Sequence, residues 1–315
     1  MRYHAFNKID MKPTNHVVLV RPASFRSNEQ TAVNNHYQKS TELSNDAALN
    51  QALQEFDALV LRLREHDVKV TVVQDEPVPD TPDALFPNNW FALLPKNRGV
   101  LFPMFAPNRR AERNTRIFEA LNNFGHKISV AKEYSSYEKD NVFLEGTGSM
   151  VLDHQNSIAY CALSSRANRE LFYQFCKDFD FKPIAFHAYQ TVDNQRLLIY
   201  HTNVLMALGA DFAVICLDAI DDPEERTIIQ DSLTFSGKDV VTITEEQVAQ
   251  FAGNMLALTA GDGTPLLVMS SRAYASLSAQ QRQKLEQHAT LVHSPVPTIE
   301  DLGGGSVRCM MAEVY

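Results

Sequence analysis

The sequence has 315 residues, 44% hydrophobic and 21% charged, a composition typical of a globular chain with enough apolar material for one large domain or two ordinary ones. The formal net charge is −9, and no Lys/Arg run is longer than the pair Arg109 and Arg110, which argues against a nucleic-acid-binding surface. No segment has the length of apolar sequence that crosses a membrane, and the first ten residues lack the apolar core of a signal peptide, so we expect a cytoplasmic protein that acts on a small molecule.

The first predicted strand is HVVLVRPASF, residues 16–25. A polar, Asn-rich loop spans residues 21–38, and its length and place after a strand suggest either a lid over a site or an ordinary surface loop. A helix is predicted next, because apolar residues recur at steps of three and four. These residues are Leu49, Leu53, Phe56, Val60 and Leu63.

The rest of the chain repeats one pattern, which is a short apolar strand, a polar turn, a second strand and a helix start that contains arginine. The repeats include NNWFALLPKNRGVLF, GTGSMVLDHQNSIAYCAL, TNVLMALGADFAVICL and GNMLALTAGDGTPLLVM. The predicted first strands start at Asn89, Gly148, Asn203, Asn254 and Cys309, which are 59, 55, 51 and 55 residues apart. This period has room for two or three strands and one helix.

The last repeat, SVRCMMAEVY, supplies a first strand and then stops without its partner. The remaining unpaired strand is the one at the N-terminus. Pairing residues of about 16–20 with residues of about 307–314 would close five units into a ring and leave no open strand edge. We therefore predict a single α/β domain over residues 1–315, with the starts of the first strands meeting at a central channel.

The residues expected at this channel are suited to covalent chemistry. They are Asn89, Glu145, His201, Asn203, Asn254 and Cys309. A cysteine, a histidine and a carboxylate can act as a thiolate nucleophile, a proton shuttle and an orienting group. Structural alternatives stay open, because Cys309 and His201 could be core residues and Glu145 could cap a turn.

The motifs LEGTGSM, YHTNVLM and GGGSVRCM resemble those of the arginine deiminase and amidinotransferase superfamily, the five-bladed penteins. Within it, FPNNWF together with HTNVLM is most similar to the citrulline utilization hydrolase family. The resemblance implies a five-bladed α/β propeller in which Cys309 attacks a guanidino or ureido carbon. It also implies that His201 is the general acid and base and that Glu145 hydrogen-bonds a substrate nitrogen.

The positions of Asn89 and Asn203 carry aspartates in the deiminases, where they bind a guanidinium. An asparagine offers a donor and an acceptor, which matches a neutral ureido group, whereas a guanidinium offers donors only. The two amides therefore favour citrulline without excluding arginine.

Arginines are expected to hold the rest of the substrate. Arg166 in the motif SSRA resembles the arginine with which deiminases bind a substrate carboxylate. The same motif recurs at Arg272, so the residue could simply mark each repeat. Arg308 either binds substrate or favours the thiolate of the neighbouring cysteine electrostatically.

The remaining cysteines, Cys161, Cys176 and Cys216, lie in apolar or helical segments and are predicted to be inert core residues. The four cysteines show neither zinc-site spacing nor the density of a disulfide scaffold, and we expect no metal or cofactor.

The sequence thus predicts a hydrolase that converts citrulline to ornithine, carbon dioxide and ammonia. Arginine deiminase or dihydrolase, dimethylarginine hydrolase and amidinotransferase activities are the alternatives, and a non-enzymatic binding protein is a further one. The sequence leaves open whether the chain forms a homo-oligomer.

Overall fold

The computed structural model describes residues 11–39, 41–114 and 116–315, so the first ten residues of the predicted domain lie outside the description. Within these ranges the chain forms five three-stranded sheets and one two-stranded hairpin. Each three-stranded sheet pairs its first strand antiparallel to the second and the second parallel to the third. The predicted repeat is therefore a repeat of one sheet topology.

Every sheet has a first strand on one side, a central strand and a third strand reached through a helical crossover. The first strands are β3 (Phe91–Leu94), β6 (Val151–Asp153), β11 (Met206–Leu208), β14 (Leu256–Thr259) and β17 (Ala312–Glu313). The central strands are β4 (Arg98–Leu101), β7 (Ile158–Ala162), β12 (Phe212–Ile215), β15 (Pro265–Ser270) and β1 (His16–Arg21). The third strands are β5 (Ser129–Glu133), β8 (Lys182–Phe186), β13 (Asp239–Thr242), β16 (Thr290–Ser294) and β2 (Lys69–Gln74). The hairpin consists of β9 (Tyr189–Val192) and β10 (Gln195–Leu198).

Helices cover the sheets and connect their strands. The longer ones are α2 (Asn45–Glu65), α4 (Arg116–Asn123), α6 (Arg169–Asp178), α7 (Pro223–Phe235) and α10 (Ala279–Glu286). The short ones are α1 (Glu29–Ala32), α3 (Pro107–Arg110), α5 (Gly146–Ser149), α8 (Glu245–Val248), α9 (Ser271–Ser276) and α11 (Pro297–Gly303). The predicted helix is α2, whose apolar stripe, including Phe56, Val60 and Leu63, is buried. Burial of that stripe, more than helix propensity, stabilises such a helix.

The first and the last strand of the described residues share one sheet. Val17 lies opposite Glu313 and Val18 opposite Ala312, in an antiparallel pair between β1 and β17. The predicted strand over residues 307–314 is too long, because only Ala312–Glu313 is extended. The preceding residues form successive turns, in which the backbone N–H groups of Cys309, Met310 and Met311 donate to carbonyls three residues back. Cys309 therefore lies in these turns and not in the strand.

The residues predicted to start the first strands lie instead in the turns just before them. Asn89 ends a 3₁₀ turn (Pro87–Asn89) before β3, and Asn203 lies in a 3₁₀ turn (Thr202–Val204) before β11. Gly148 lies in α5 before β6. Turns leave backbone groups and side chains free of the sheet ladder, so these positions can face a site. The mixed α/β architecture is as predicted, while the arrangement of the sheets as a five-bladed ring stays a prediction.

Candidate active site

A small cavity lies where several of these turns meet. Its volume is about 20 Å³, which is room for roughly one water molecule. The residues that line it are Thr31, Asn35, Asp83, Phe86, Asn89, Arg109, Arg166, Tyr200, His201, Gly303, Gly305 and Cys309. Of the predicted site residues, Asn89, Arg166, His201 and Cys309 therefore line one cavity. Thr31 and Asn35 belong to the predicted loop over residues 21–38, which therefore contributes to the cavity wall.

Cys309 is 4% exposed, and its sulfur faces two side-chain amides. Asn203 Nδ2 lies 3.5 Å from Cys309 Sγ, and Asn254 Nδ2 lies 3.3 Å from it. Both amides point donors at the sulfur, and a donor favours the negatively charged form of an acceptor. This arrangement suits a thiolate.

His201 and Glu145 form a buried hydrogen-bonded pair. His201 Nε2 lies 2.8 Å from Glu145 Oε2, and the two residues are 2% and 0% exposed. Burial lowers the pKa of His201 to about 4, against the opposing effect of the Glu145 carboxylate. The imidazole is therefore neutral at neutral pH. Because an ionised carboxylate only accepts hydrogen bonds, Nε2 carries the hydrogen and Nδ1 keeps a lone pair for a proton.

Glu145 is ionised in spite of its burial. Desolvation would raise its pKa, but Arg166 and the hydrogen bond from His201 outweigh it and lower the pKa to about 2. Its other oxygen, Oε1, accepts a bond of 2.9 Å from the backbone N–H of Phe105. Each oxygen thus accepts one hydrogen bond from the protein and keeps a lone pair, so the bond to a substrate nitrogen stays a prediction. The contacts seen are those of a group that orients His201.

Arg166 connects the loop to the pair formed by His201 and Glu145. Its Nη1 lies 3.6 Å from Glu145 Oε2, and its guanidinium lies 4.7 Å from the centre of the Tyr200 ring. Its Nε donates to Asn34 Oδ1 at 2.9 Å, and its Nη2 donates to the same oxygen and to the carbonyl of Thr31. The edge that would hold a carboxylate is therefore occupied by a neutral amide of the loop.

Arg109 is a second buried arginine of the cavity, and the sequence analysis did not select it. Its Nε and Nη2 donate to the two oxygens of Glu112 at 2.8 and 2.9 Å, and its Nη1 donates to Asn89 Oδ1 at 2.8 Å. Burial opposes its charge, but Glu112 and Asp83 raise its pKa above the ordinary value. Arg109 thus fixes the orientation of the Asn89 amide.

The two predicted substrate amides each have one unpaired atom. Asn89 Nδ2 and Asn203 Oδ1 are buried and have no hydrogen-bond partner, although such groups are rarely left unsatisfied in proteins. Because Arg109 holds Asn89 Oδ1, the free atom of Asn89 is a donor. Because Asn203 Nδ2 faces the sulfur, its free atom is an acceptor.

Gly148 makes the close approach of these groups feasible. A Cβ on this residue would lie 2.3 Å from Asn89 Nδ2 and 2.8 Å from His201 Nδ1. Any side chain would therefore displace both groups. The second glycine of the motif LEGTGSM is therefore required by packing against the site.

Arg308 lies in a different environment from the one predicted. Its guanidinium donates to the carbonyl of Met311 at 2.9 Å and to Glu313 Oε2 at 2.9 Å, and it lines a separate cavity next to Thr147 and Met255. These contacts tie the Cys309 turn to β17. They give no support to a substrate-binding role for its guanidinium, in contrast to those of Arg166.

Asp83, Phe86 and Tyr200 are further cavity residues that the sequence analysis missed. Asp83 Oδ2 accepts from Asn28 and Thr31, whereas Asp83 Oδ1 is buried and unpaired. The hydroxyl of Tyr200 donates to the carbonyl of Gly304 at 2.7 Å. The motif YHTN contained Tyr200, and its place before His201 was the available signal.

The other cysteines are free and buried, and burial raises the pKa of Cys176 to about 12 and that of Cys216 to about 11. Burial likewise raises the pKa of Cys161. Among the residues that the structure describes, no group of three or more His, Cys, Asp or Glu side chains could hold a metal ion. Over the same part of the chain, no helix has the length and apolar character needed to cross a membrane.

Comparison with solved structures supports the pentein fold. The N-terminal domain of ArgZ, an arginine dihydrolase from the ornithine-ammonia cycle in cyanobacteria, matches with a TM-score of 0.70 and 16% identity over 95% of this chain and 98% of that one. Unliganded AgrE matches with a TM-score of 0.72 and 16% identity over 95% of this chain and 39% of that one. A dimethylarginine dimethylaminohydrolase adduct with S-methyl-L-thiocitrulline matches with a TM-score of 0.60 and 15% identity over 95% and 98%.

A comparison with curated protein sequences found no match. A family model, described as N,N dimethylarginine dimethylhydrolase, eukaryotic, matches residues 21–315. This match includes every predicted site residue, whereas the narrower resemblance to citrulline utilization hydrolases has no counterpart in it. The chain belongs to the N,N-dimethylarginine dimethylhydrolase family of the pentein superfamily.

Proposed function

We propose that this protein is a cysteine-dependent hydrolase of the ureido group of citrulline, yielding ornithine, carbon dioxide and ammonia. The observation that carries the proposal is the pair of unpaired amide atoms, the donor Asn89 Nδ2 and the acceptor Asn203 Oδ1. A ureido oxygen accepts from the first, and a ureido N–H donates to the second. A guanidinium has only donors, so it would leave Asn89 Nδ2 without a partner at a cost of about 1–3 kcal/mol.

In the proposed reaction, Cys309 acts as the nucleophile and His201 transfers protons. The Cys309 thiol passes its proton to His201, the resulting thiolate forms a C–S bond to the ureido carbon, and a C–N bond breaks as the leaving nitrogen takes that proton from His201. Water, deprotonated by His201, then attacks the same carbon, and the C–S bond breaks as the sulfur recovers a proton from His201. The carbamic acid of ornithine released in this way breaks its remaining C–N bond to give ornithine and carbon dioxide. The overall balance is citrulline and water to ornithine, carbon dioxide and ammonia. Glu145 orients His201 and stabilises its protonated form.

The α-amino and α-carboxylate groups of the substrate have natural partners in the cavity. Asp83 Oδ1, buried and unpaired, is an acceptor for an ammonium group. Arg166 is the arginine available to a substrate carboxylate, because its guanidinium donates to the neutral amide of Asn34. The guanidinium of Arg109 already donates to the carboxylate of Glu112. Exchanging a neutral acceptor for an anion is favourable, and displacing an anion is not.

The loop over residues 21–38 acts as a lid in this proposal. A cavity of about 20 Å³ is too small for an amino acid with a ureido group, so the substrate enters after the loop has moved. Asn34 and Thr31, which contact Arg166, leave that arginine at the same time. We place the enzyme in the cytoplasm and leave its assembly as a monomer or homo-oligomer to measurement.

Methylated arginine or arginine is the second candidate substrate. The family to which the chain belongs favours it, because that family is described by dimethylarginine hydrolysis. Hydrolysis of arginine through citrulline to ornithine would require the site to bind a guanidinium and then a ureido group. Asparagines can bind both, because an amide offers a donor and an acceptor, whereas a carboxylate only accepts.

A substrate panel tests the proposal directly. Purified protein is incubated with citrulline, arginine, dimethylarginine and agmatine, while ammonia, ornithine, citrulline and methylamines are followed. We expect ornithine and ammonia from citrulline with the highest kcat/KM of the four. Release of dimethylamine from dimethylarginine at a higher kcat/KM would replace the proposal with the family's described reaction.

A further inference from the structure

Three asparagines occupy equivalent places in the repeat, and their side chains are engaged differently. Asn89 and Asn203 each keep one buried atom unpaired, whereas Asn254 uses both of its polar atoms. The difference separates two amides that each keep an unpaired polar atom from an amide whose polar atoms are all paired within the protein. Asn254 is 1% exposed, and its partners are the carbonyl of Asn203, the sulfur of Cys309 and the backbone N–H of Arg308.

We propose that Asn254 is the residue that positions Cys309 and supplies the main hydrogen bond to its thiolate. Asn254 Nδ2 lies 3.3 Å from Cys309 Sγ and also donates to the carbonyl of Asn203 at 3.0 Å. Asn254 Oδ1 accepts from the backbone N–H of Arg308 at 3.0 Å. One side chain thus fixes the backbone just before the cysteine and contacts its sulfur.

Backbone packing explains why this amide reaches the sulfur. Gly253, which precedes it, lies so close to the neighbouring repeat that a Cβ would approach the carbonyl oxygen of Val204 to 2.3 Å. The absence of a side chain at Gly253 lets the turn before β14 press against the turn before β11. Asn254 therefore bridges three repeats, those that contain Asn203, Asn254 and Cys309.

The charged groups around the sulfur do not replace this donor. The titratable or charged residues that share the cavity wall with Cys309 are Asp83, Arg109, Arg166, Tyr200 and His201. His201 is neutral, Arg109 is paired with Glu112, and Arg166 lies against Glu145. The guanidinium of Arg308, on the same turn as the cysteine, is paired with Glu313. Neutral amide donors are thus the groups that directly contact the sulfur, and a donor to the charged form favours ionisation.

The inference rests on the proposed function only in treating Cys309 as the nucleophile, and its test needs no turnover. Thiolate absorbance is titrated in the ultraviolet for wild type, Asn254→Ala and Asn254→Asp, each with a Cys309→Ala version subtracted. We expect the midpoint of thiolate formation to move to higher pH by about half a unit to one unit in Asn254→Ala. Asn254→Asp keeps the acceptor for the backbone N–H of Arg308 and adds a negative charge. In this variant we expect the midpoint to move to higher pH by more than about one unit.

The matched control is Asn168→Asp. Asn168 caps α6 through an oxygen that accepts from the backbone N–H of Leu171, and an aspartate caps equally well. This variant should leave the midpoint unchanged. Melting temperatures of all variants separate a folding defect from an effect on the thiol, because a merely structural role would lower the melting temperature without moving the midpoint.

A measurement on the native sequence covers the case in which the Asn254 variants do not fold. Two side-chain amide groups should shift in NMR spectra with the same midpoint as the thiolate, and both shifts should vanish in Cys309→Ala. A midpoint within about 0.2 units of wild type in a folded Asn254→Ala would overturn the proposal. So would amide signals that show no titration linked to the thiol.

Discussion

The two sides of the cavity are built from different chemistry. On one side His201, Glu145 and Arg166 form a buried chain of ionisable groups. On the other side the sulfur of Cys309 faces the neutral amides of Asn203 and Asn254. Burial therefore affects the two sides differently. It lowers the pKa of His201, whereas a side-chain amide is neutral and does not titrate.

In the proposed reaction, the two sides would therefore have different tasks. A group that accepts and returns protons has to be titratable, and Glu145 limits how far burial can lower the pKa of His201. A group that stabilises a thiolate has to remain a donor at every pH, and an amide does so. Substitutions at His201 or Glu145 should consequently alter proton transfer. Substitutions at the amides that face Cys309 should alter the nucleophile or the choice of substrate.

The largest effect is expected from Cys309→Ala. Loss of the sulfur removes the covalent route, and turnover should fall by about 10³-fold or more. The small change in volume should leave the melting temperature close to that of wild type. Mass spectrometry after reaction with a substrate analogue should locate the adduct on Cys309 in wild type. Turnover of the variant within about tenfold of wild type would exclude Cys309 as the nucleophile.

Glu145→Gln tests the ionisable side, with an effect of about 10²-fold on kcat. The substitution keeps the shape of the side chain but removes the charge that stabilises protonated His201 and balances Arg166. Glu225→Gln is the matched control, since Glu225 makes a similar contact of 3.0 Å with His187 Nδ1 at a partly exposed position. The control should keep kcat within about twofold. Equal losses in both variants would mean that Glu145 acts through folding alone.

A smaller effect, confined to stability, is expected at the pair of chain ends. Burial and the neighbouring His126 lower the pKa of His16 to about 4. A group whose pKa is lower in the folded state contributes stability above its unfolded pKa, near 6.5, and loses it as the pH falls toward about 4. Between pH 7 and pH 4, wild type should lose about 1–2 kcal/mol more unfolding free energy than His16→Gln. Denaturant titrations at several pH values measure this difference, and parallel pH curves for the two proteins would contradict it.

The repeat in the sequence predicted much of the fold. The strands, the long helix and the meeting of the two chain ends follow from apolar periodicity and from the incomplete last repeat. The length of the last strand could not be predicted, because Val307 and Met310 are as apolar as strand residues. Their turns are determined by hydrogen bonds that a hydrophobic pattern does not encode.

The site was predictable in its residue types and less so in its contacts. Asn89, Asn203 and Cys309 follow from equivalent places in the repeat, and His201 lies two residues before Asn203. Arg109 was missed although it follows the second strand of its repeat, as Arg166 does. The same signal is unreliable, because Arg272 has that place too and pairs with Asp301 and Glu300 instead. Which arginine reaches the cavity depends on tertiary packing.

The choice between a ureido and a guanidinium substrate is the central claim, and the double substitution Asn89→Asp and Asn203→Asp tests it. Each aspartate loses the amide donor and adds a negative charge that pairs with a cation. In wild type, kcat/KM for citrulline should exceed that for arginine.

The measurement is the ratio of these two kcat/KM values, determined in wild type and in the double variant under the same conditions. The account predicts that the ratio of citrulline to arginine falls by about tenfold or more in the double variant. A ratio that does not move toward arginine, or a wild-type enzyme that already prefers arginine, would contradict it.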